Sequence, residues 1–271
     1  MATNNALNTG SLTNGQLLIG STGATPVVST LTAGSGISIT NGAGSITIAA
    51  SSSSGSLVNV QYLTTSGTYT PTSGATKALV IAVGGGGGAG GIPSFSGTNT
   101  AAVSQGGGAG AFCQRFYSTV PSSASYTIGA AGTGGAAGSN NGTAGGSTIF
   151  NGDFTAGGGS GGSAGTQQTV ASSSSYVLAG ASGGSPSGTY NLGAPGGSSG
   201  VAFILAGLNI VRSAGGNSFI GPGATPGVGN GAGTNATSYG SGGSGAAKVN
   251  PSSGQSGGNG AQGIIIVYEY A

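Results

Sequence analysis

The chain has 271 residues and 64 glycines, but only four basic residues (Lys77, Arg115, Arg212, Lys248), two acidic ones (Asp153, Glu269) and no histidine. A net charge of +2 leaves no electrostatic footprint for nucleic acid and no polybasic patch for a membrane surface. Short aliphatic stretches with so little charge argue against a disordered chain, and nine prolines with a broken glycine period exclude collagen.

In chain order, residues 1–55 have ordinary glycine content and hairpin punctuation. Met1-Ala-Thr-Asn-Asn lacks the basic and apolar regions of a signal peptide; an external protein of this kind could be released by lysis, with a dedicated secretion system or earlier removal of a signal as the alternatives. Leu17, Leu18, Ile19, Val27, Val28 and Leu31 form a first apolar set. Gly36-Ile-Ser-Ile-Thr40 and Gly44-Ser-Ile-Thr-Ile48 alternate on either side of Asn41-Gly42. That dipeptide is a strong hairpin signal, here with Ala43 and Gly44 lengthening the loop. So small a segment cannot bury a core alone. It is expected to wrap around copies of itself as an oligomeric stalk. Ser51 to Ser54, then Gly55, read as a hinge.

From residue 56 onward the repeated unit is strand, glycine run, loop. Val58-Asn-Val-Gln-Tyr62 and Tyr69 open it, and Ala78 to Val83 is a buried strand running into Gly84 to Gly88. Ala111 to Tyr117 and Ser125 to Ile128 follow, then a hairpin across Asn151-Gly152, and Gly263 to Tyr270 closes the chain as its strongest strand. Glycines recur at every third position in Gly129, Gly132, Gly135 and Gly138, and again in Gly254, Gly257, Gly260 and Gly263. Shorter echoes are Gly84, Gly87, Gly90 and Gly159, Gly162, Gly165. A period of three belongs to an extended left-handed helix without internal hydrogen bonds. Its amides must pair with neighbouring chains, which approach closely only where side chains are missing. The expected fold is all-β: residues 1–55 a short β shaft, and residues 56–271 a β-sandwich continued by packed polyglycine II helices.

Residues typical of a binding surface lie in the connections. Phe95, Tyr176, Tyr190, Phe219 and Tyr239 stand among Asn and Gln in four loops, and loops on rigid scaffolds commonly carry binding sites. The plainer alternative is that they pack the loops down. Val201 to Val211 is the most apolar stretch outside the framework strands, yet too short to span a bilayer. It reads as a further strand or core plug, or as an exposed contact patch centred on Phe203, Ile204 and Leu205.

Catalytic patterns are explained by composition. Four Gly-x-Ser-x-Gly matches, the first at Gly158-x-Ser160-x-Gly162, lack the histidine base that chemistry needs. Gly85-x-Gly87-x-x-Gly90 has neither the helix nor the acidic residue of a dinucleotide site. Asp153 and Glu269 are the only carboxylate pair; Asp153 reads as a turn residue and Glu269 as facing outward on the last strand. Cys113, the single cysteine, reads as a small buried hydrophobe. No catalytic residue, cofactor or metal site is expected.

Leu12 to Pro26, followed by Leu31 to Ile48, resembles a repeat of phage tail fibres and related surface fibres. The features Ser66-Gly-Thr-Tyr-Thr-Pro71, Ala78 to Gly88, Tyr126-Thr-Ile-Gly129 and Gly263 to Tyr270 resemble the glycine-rich domain of phage tail proteins. The resemblance implies a homotrimeric, non-enzymatic tail-fibre adhesin, with polyglycine helices as its rigid core and loops as its host-binding tip. Its expected place is the virion or an extracellular surface. Its expected partners are other fibre or virion proteins and a bacterial surface protein or polysaccharide, with no nucleic acid and no membrane insertion. The alternative is a self-assembling filament or capsid decoration protein without a specific receptor.

Overall fold

The computed structural model describes residues 11–50, 55–170, 175–250 and 253–271. They divide into two compact units, one ending at Ser56 and including Ala271, the other Leu57–Tyr270. The hinge expected at Ser51 to Ser54 lies outside the described residues.

The first unit consists of two hairpins. β1 (Gln16–Ser21) pairs with β2 (Ala24–Thr30), and β3 (Ile37–Gly42) with β4 (Ser45–Ala50). Asn41-Gly42 does not make the second turn. It lies within β3, opposite Ile46 and Ser45, and the chain reverses at Ala43-Gly44, where Gly44 has φ 71°. Positive φ suits glycine, so Gly44 rather than Gly42 sets this register. Ile19, Val27, Val28, Ile37 and Ile48 remain exposed.

The second unit is all-β. Its strands are β5 (Leu57–Leu63), β6 (Gly67–Tyr69), β7 (Lys77–Val83), β8 (Thr100–Val103), β9 (Phe112–Tyr117), β10 (Ala124–Thr127), β11 (Thr148–Phe150) and β12 (Phe154–Ala156). β13 (Gln168–Thr169), β14 (Tyr176–Leu178), β15 (Pro186–Gly188), β16 (Leu192–Ala194), β17 (Ala202–Leu205), β18 (Asn209–Val211), β19 (Ala247–Val249) and β20 (Ile264–Tyr270) complete them. Two five-stranded sheets, ordered β16-β9-β7-β20-β5 and β15-β12-β11-β10-β6, form a sandwich. Tyr69, Val80, Phe150, Phe154, Ile265 and Val267 fill it, with Cys113 wholly buried beside them. The hairpin between β11 and β12 turns on Asn151 (φ 54°) and Gly152 (φ 66°), as the Asn-Gly pair predicts.

Glu269 corrects the expectation that it faces outward. It is fully buried in the sandwich: Oε1 accepts from the Tyr69 hydroxyl at 2.6 Å, Thr72 N at 3.0 Å and Gln61 Nε2 at 3.1 Å. Along β20 the inward residues are Ile265, Val267 and Glu269; Ile264, Ile266 and Tyr268 face the other way. Both faces of this strand are apolar, so alternation alone does not reveal which one is inside.

Beyond the sandwich the strands run on into glycine segments. Segment 84–92 continues β7. Its nine successive N–H groups rotate through three neighbours. Gly84, Gly87 and Gly90 donate to segment 104–111. Gly85, Gly88 and Gly91 donate to 140–146, and Gly86, Ala89 and Ile92 to 255–263. All three neighbours run antiparallel to it. Three parallel ones return the bonds: Gly132, Gly135 and Gly138 from one, Gly159, Gly162 and Gly165 from another, and Gly243 from segment 240–246. Donation to every third residue of a neighbour is the pattern of a threefold extended helix. The six neighbours also bond to one another in a closed ring, 104–111, 157–165, 140–146, 129–138, 255–263, 240–246 and back. Segment 104–111 is enclosed in the same way, by 84–92, 157–165, 179–185, 196–200, 213–217 and 240–246. The polyglycine expectation therefore holds in a specific form, a hexagonal array with two enclosed centres.

Backbones this close leave no room for Cβ atoms. One on Gly87 would overlap the Ser160 carbonyl, and one on Gly110 that of Gly84. Where serine is buried in the array, its hydroxyl joins the backbone ladder. Ser104 Oγ donates to Gly90 O at 2.6 Å, and Ser213 Oγ accepts from Gly106 N at 2.9 Å while donating to Gly200 O at 2.6 Å.

Candidate functional site: the distal loop face

Because segments alternate in direction, their connections collect at two ends. Segments 84–92, 129–138, 157–165 and 196–200 leave the sandwich. Segments 104–111, 140–146, 179–185 and 255–263 lead back to it. The connecting residues 92–103, 138–140, 166–170 with 175–179, 201–212, 226–231, and 247–250 with 253–254 are thus gathered at the end away from the sandwich.

Two small sheets build this distal face, β13-β8-β19 and β14-β17-β18. They share a core of Ala101, Val103, Val170, Ala202, Ile204 and Ala247, against which Tyr176, Leu178 and Ile210 pack. The stretch Val201 to Val211 is therefore a hairpin, as one of the two readings held. Its turn contains Leu208 at φ 64°, a conformation unfavourable for a side chain of this kind; packing of Leu208 against the distal core offsets that cost.

The three patch residues separate. Ile204 is buried in the core, Leu205 is exposed, and Phe203 is half-buried on the outer face. Phe203 stands in register between Val177 of β14 and Val211 of β18, both exposed. These three make an apolar row across the outside of the sheet, a feature that no single segment of the sequence displays.

The five aromatic candidates also divide. Phe95 is corrected from loop-surface residue to core: it is buried with Ile92, Ala102 and Ala246, anchoring the 92–103 loop. Tyr176 is half-buried and lines a cleft of 220 Å³ with Gln168, Thr169 and Ile204. Both belong to the distal face. Tyr190, Phe219 and Tyr239 lie at the sandwich end instead. Tyr190 follows β15 and lies against Gly193 of β16. Phe219 stacks on Phe112 of β9, ring centroids 3.8 Å apart, while remaining 62% exposed. Tyr239 adjoins Gly240, which abuts Val83. The sequence treats the five as one set; the array sends them to opposite ends.

Arg212 is a functional-looking residue the sequence did not single out. It is buried at the distal face, where Nε donates to Gly245 O at 3.3 Å and Nη2 to Ala232 O. Burial lowers its pKa from the ordinary value. It cross-links the 226–232 connection to segment 240–246 and to β18, and so holds the distal loops in place.

The two carboxylates sit in the sandwich, away from these loops. Asp153 pairs with Arg115 Nη1 at 3.0 Å and accepts from the Tyr117 hydroxyl at 2.8 Å, with Arg115 stacked 4.7 Å over the Tyr117 ring. Burial works to raise the Glu269 pKa, but the donors from Thr72, Tyr69 and Gln61 outweigh it and hold the carboxyl below its usual range. Asp153 Oδ2 and Glu269 Oε1 are each held by structural partners, while Glu269 Oε2 has none. Among the described residues, no three His, Cys, Asp or Glu side chains come together as a metal site, and no helix is long and apolar enough to cross a membrane.

A strand sandwich continued by a hydrogen-bonded glycine array defines a class of glycine-rich β-protein. The chain belongs to the glycine-rich domain family, whose model matches residues 63–270. The match covers nearly all of the second unit and none of the first. No curated protein matches the chain.

Proposed function

We propose that this protein is a non-enzymatic attachment protein of a phage tail fibre, and that its distal loop face binds a molecule of the bacterial surface. The observation that carries the reading is the collection of six connections at one end of a backbone-bonded array. Such an array fixes loop ends mainly through backbone hydrogen bonds, with few side chains such as Arg212 and Ser213 taking part, so most loop positions are free to vary in sequence. Rigid scaffolds presenting variable loops are suited to recognition. The distal face offers polar clefts beside Tyr176 and near Ser94, Ser96 and Gln167, and the Val177–Phe203–Val211 row beside them. These groups suit a glycan or an extended protein loop, recognised by stacking, amide bonds and apolar contact.

In this reading the first unit forms the shaft, its exposed apolar residues closed by two further copies. Three tips per fibre multiply a weak single-site affinity. Having few charges to screen, attachment depends little on salt.

The test is adsorption of fluorescently labelled full chain to a panel of bacteria at low and high salt, beside Tyr176→Ala and Val177→Asp. Salt-independent binding to a subset of strains, lost in both variants, supports the reading. Uniform absence of adsorption, with the chain assembling into filaments at the same concentrations, would replace it with the structural filament.

A further inference from the structure

We infer that Nη1 of Arg212, beneath the 226–231 connection, is an anion subsite of the distal face. It takes a singly charged oxyanion carried by the surface molecule, the carboxylate of an acidic sugar or a phosphodiester. The subsite belongs to the distal face and rests on the reading given for it above.

The charges of this chain are segregated. Lys77 on β7, Arg115 on β9, Asp153 at the β11–β12 turn and Glu269 on β20 all belong to the sandwich, and these four cancel. The other two side-chain charges are Arg212, which follows β18, and Lys248, in β19. Both are at the distal end. The whole formal charge of +2 is therefore carried by the distal face, and neither acidic side chain of the sequence is there to balance it.

The Arg212 guanidinium is short of a partner. It is 7% exposed, and a cation so far out of water is normally paired, because its desolvation otherwise goes uncompensated. Among the described residues, the one ion pair is Arg115 with Asp153. Nε and Nη2 of Arg212 donate to the Gly245 and Ala232 carbonyls, while Nη1 has no acceptor among the described residues. The unpartnered side-chain atom sealed from solvent is Glu269 Oε2, not Nη1. Nη1 thus keeps a path to the surface.

Glycines leave that path open. A Cβ on Gly227 would stand 2.6 Å from Nη1, and one on Gly231 3.5 Å from it. Neither glycine has a positive φ, so backbone conformation does not by itself call for glycine there. A side chain at 227 would close the approach. The amides of Gly227, Val228, Gly229 and Asn230 donate to no described residue, so further donors lie on the same connection. A weakly hydrated, planar guanidinium with free N–H groups suits carboxylate and phosphate oxygens. With one nitrogen free, a single charge held at one point fits best. Salt screens a pair formed at a buried group far less than an exposed one, in keeping with adsorption that depends little on salt.

Saturation-transfer NMR on the full chain tests the subsite, with glucuronate and dimethyl phosphate as anionic probes and methyl glucoside as the neutral one. At least one anion should receive saturation well above the neutral sugar, and which one does so names the source. That transfer should fall roughly tenfold in Gly227→Ala, the scale of one lost hydrogen bond to a charged group. Val228→Asp should do the same by placing a fixed carboxylate beside Nη1; Val228 is fully exposed, so this variant folds whatever becomes of Gly227→Ala. Lys248→Gln should leave the transfer unchanged. No transfer to either anion, transfer equal to that of methyl glucoside, transfer kept in Val228→Asp, or transfer lost in Lys248→Gln would each overturn the inference. If the chain still adsorbs to bacteria in a manner that depends on Tyr176, the distal-face reading survives that failure. If adsorption is absent as well, both fail.

Discussion

The Tyr69 hydroxyl donates to Glu269 Oε1 across 2.6 Å, joining the last strand of one sheet to the edge strand of the other. Thr72 N and Gln61 Nε2 complete the cage around that oxygen, while Oε2 is buried without a hydrogen-bond partner. A charge is thus held inside the sandwich of a chain that has only two acidic residues. Removing it leaves three donors aimed at nothing. Glu269→Ala should cost about 3 kcal/mol or more, and Tyr69→Phe about 1.5–3 kcal/mol, since hydrogen bonds to charged groups contribute about that much. Denaturant unfolding followed by tyrosine fluorescence reads both; a change under about 0.5 kcal/mol in Glu269→Ala would contradict the cage.

The same carboxylate gives a pH dependence with a definite sign. Its folded pKa lies below the ordinary glutamate value, so the folded state binds its proton less readily than the unfolded state. The stabilisation is whole above the ordinary glutamate range and is lost as pH falls through the lowered folded value. Thermal midpoints measured from neutral pH down to strongly acid pH should fall in that window, and more steeply than in Glu269→Gln.

Gly87 and Gly20 make a matched pair. A methyl on Gly87 would overlap the Ser160 carbonyl in the middle of the array, whereas one on Gly20 meets nothing within 4 Å. Gly87→Ala should cost more than about 3 kcal/mol, beyond ordinary overpacking because backbone rather than side chain must move. Gly20→Ala should lie within about 0.5 kcal/mol of the parent. Circular dichroism melts of the two variants check this.

Cys113 should be chemically silent until the sandwich opens. Burial pushes its thiol pKa up to about 11, against a smaller lowering by the Ser187 backbone. An aromatic disulfide reagent at pH 8 should report no free thiol per native chain and one per chain in denaturant. Prompt reaction of the native protein would mean that the β9–β12 region opens readily.

Arg212→Ala should loosen the distal loops while leaving the sandwich intact. The Gly245 and Ala232 carbonyls lose their donor, at about 1–3 kcal/mol. Hydrogen exchange should quicken in 226–247 and stay unchanged in β7 and β20. Uniform quickening would show that the guanidinium supports the whole unit.

Much of this architecture is legible in the sequence, for an identifiable reason. Spacing by three appears where one side of a segment meets another backbone, as at Gly129, Gly132 and Gly135 around the first centre. Consecutive glycines appear where all sides are enclosed, as at Gly84 to Gly88. Segments such as 179–185 and 213–217 lack a plain glycine period because Ala and Ser occupy their open positions and serine hydroxyls replace amide rungs. Sequence alone puts Glu269 and Phe95 on the surface, because polarity and loop position are poor guides to burial. A carboxylate enters the core when donors await it, and a loop aromatic turns inward when its loop crosses the end of the array. The splitting of Tyr176 from Tyr190, Phe219 and Tyr239 required knowing segment directions, which local pattern does not contain.

The ladder between neighbouring glycine segments has a mechanical consequence. Its bonds run across the segment axes, so a pull along those axes strains every rung between two segments at once. They must fail together, whereas a peeling load opens them one at a time. A tension applied between β20 and the distal loops would travel along 255–263, which is bonded to 84–92, 129–138, 233–236 and 240–246. The axis joining the sandwich to the distal loops is thus the direction in which this lattice resists yielding, and the resistance comes from amides that substitutions in the loops leave untouched.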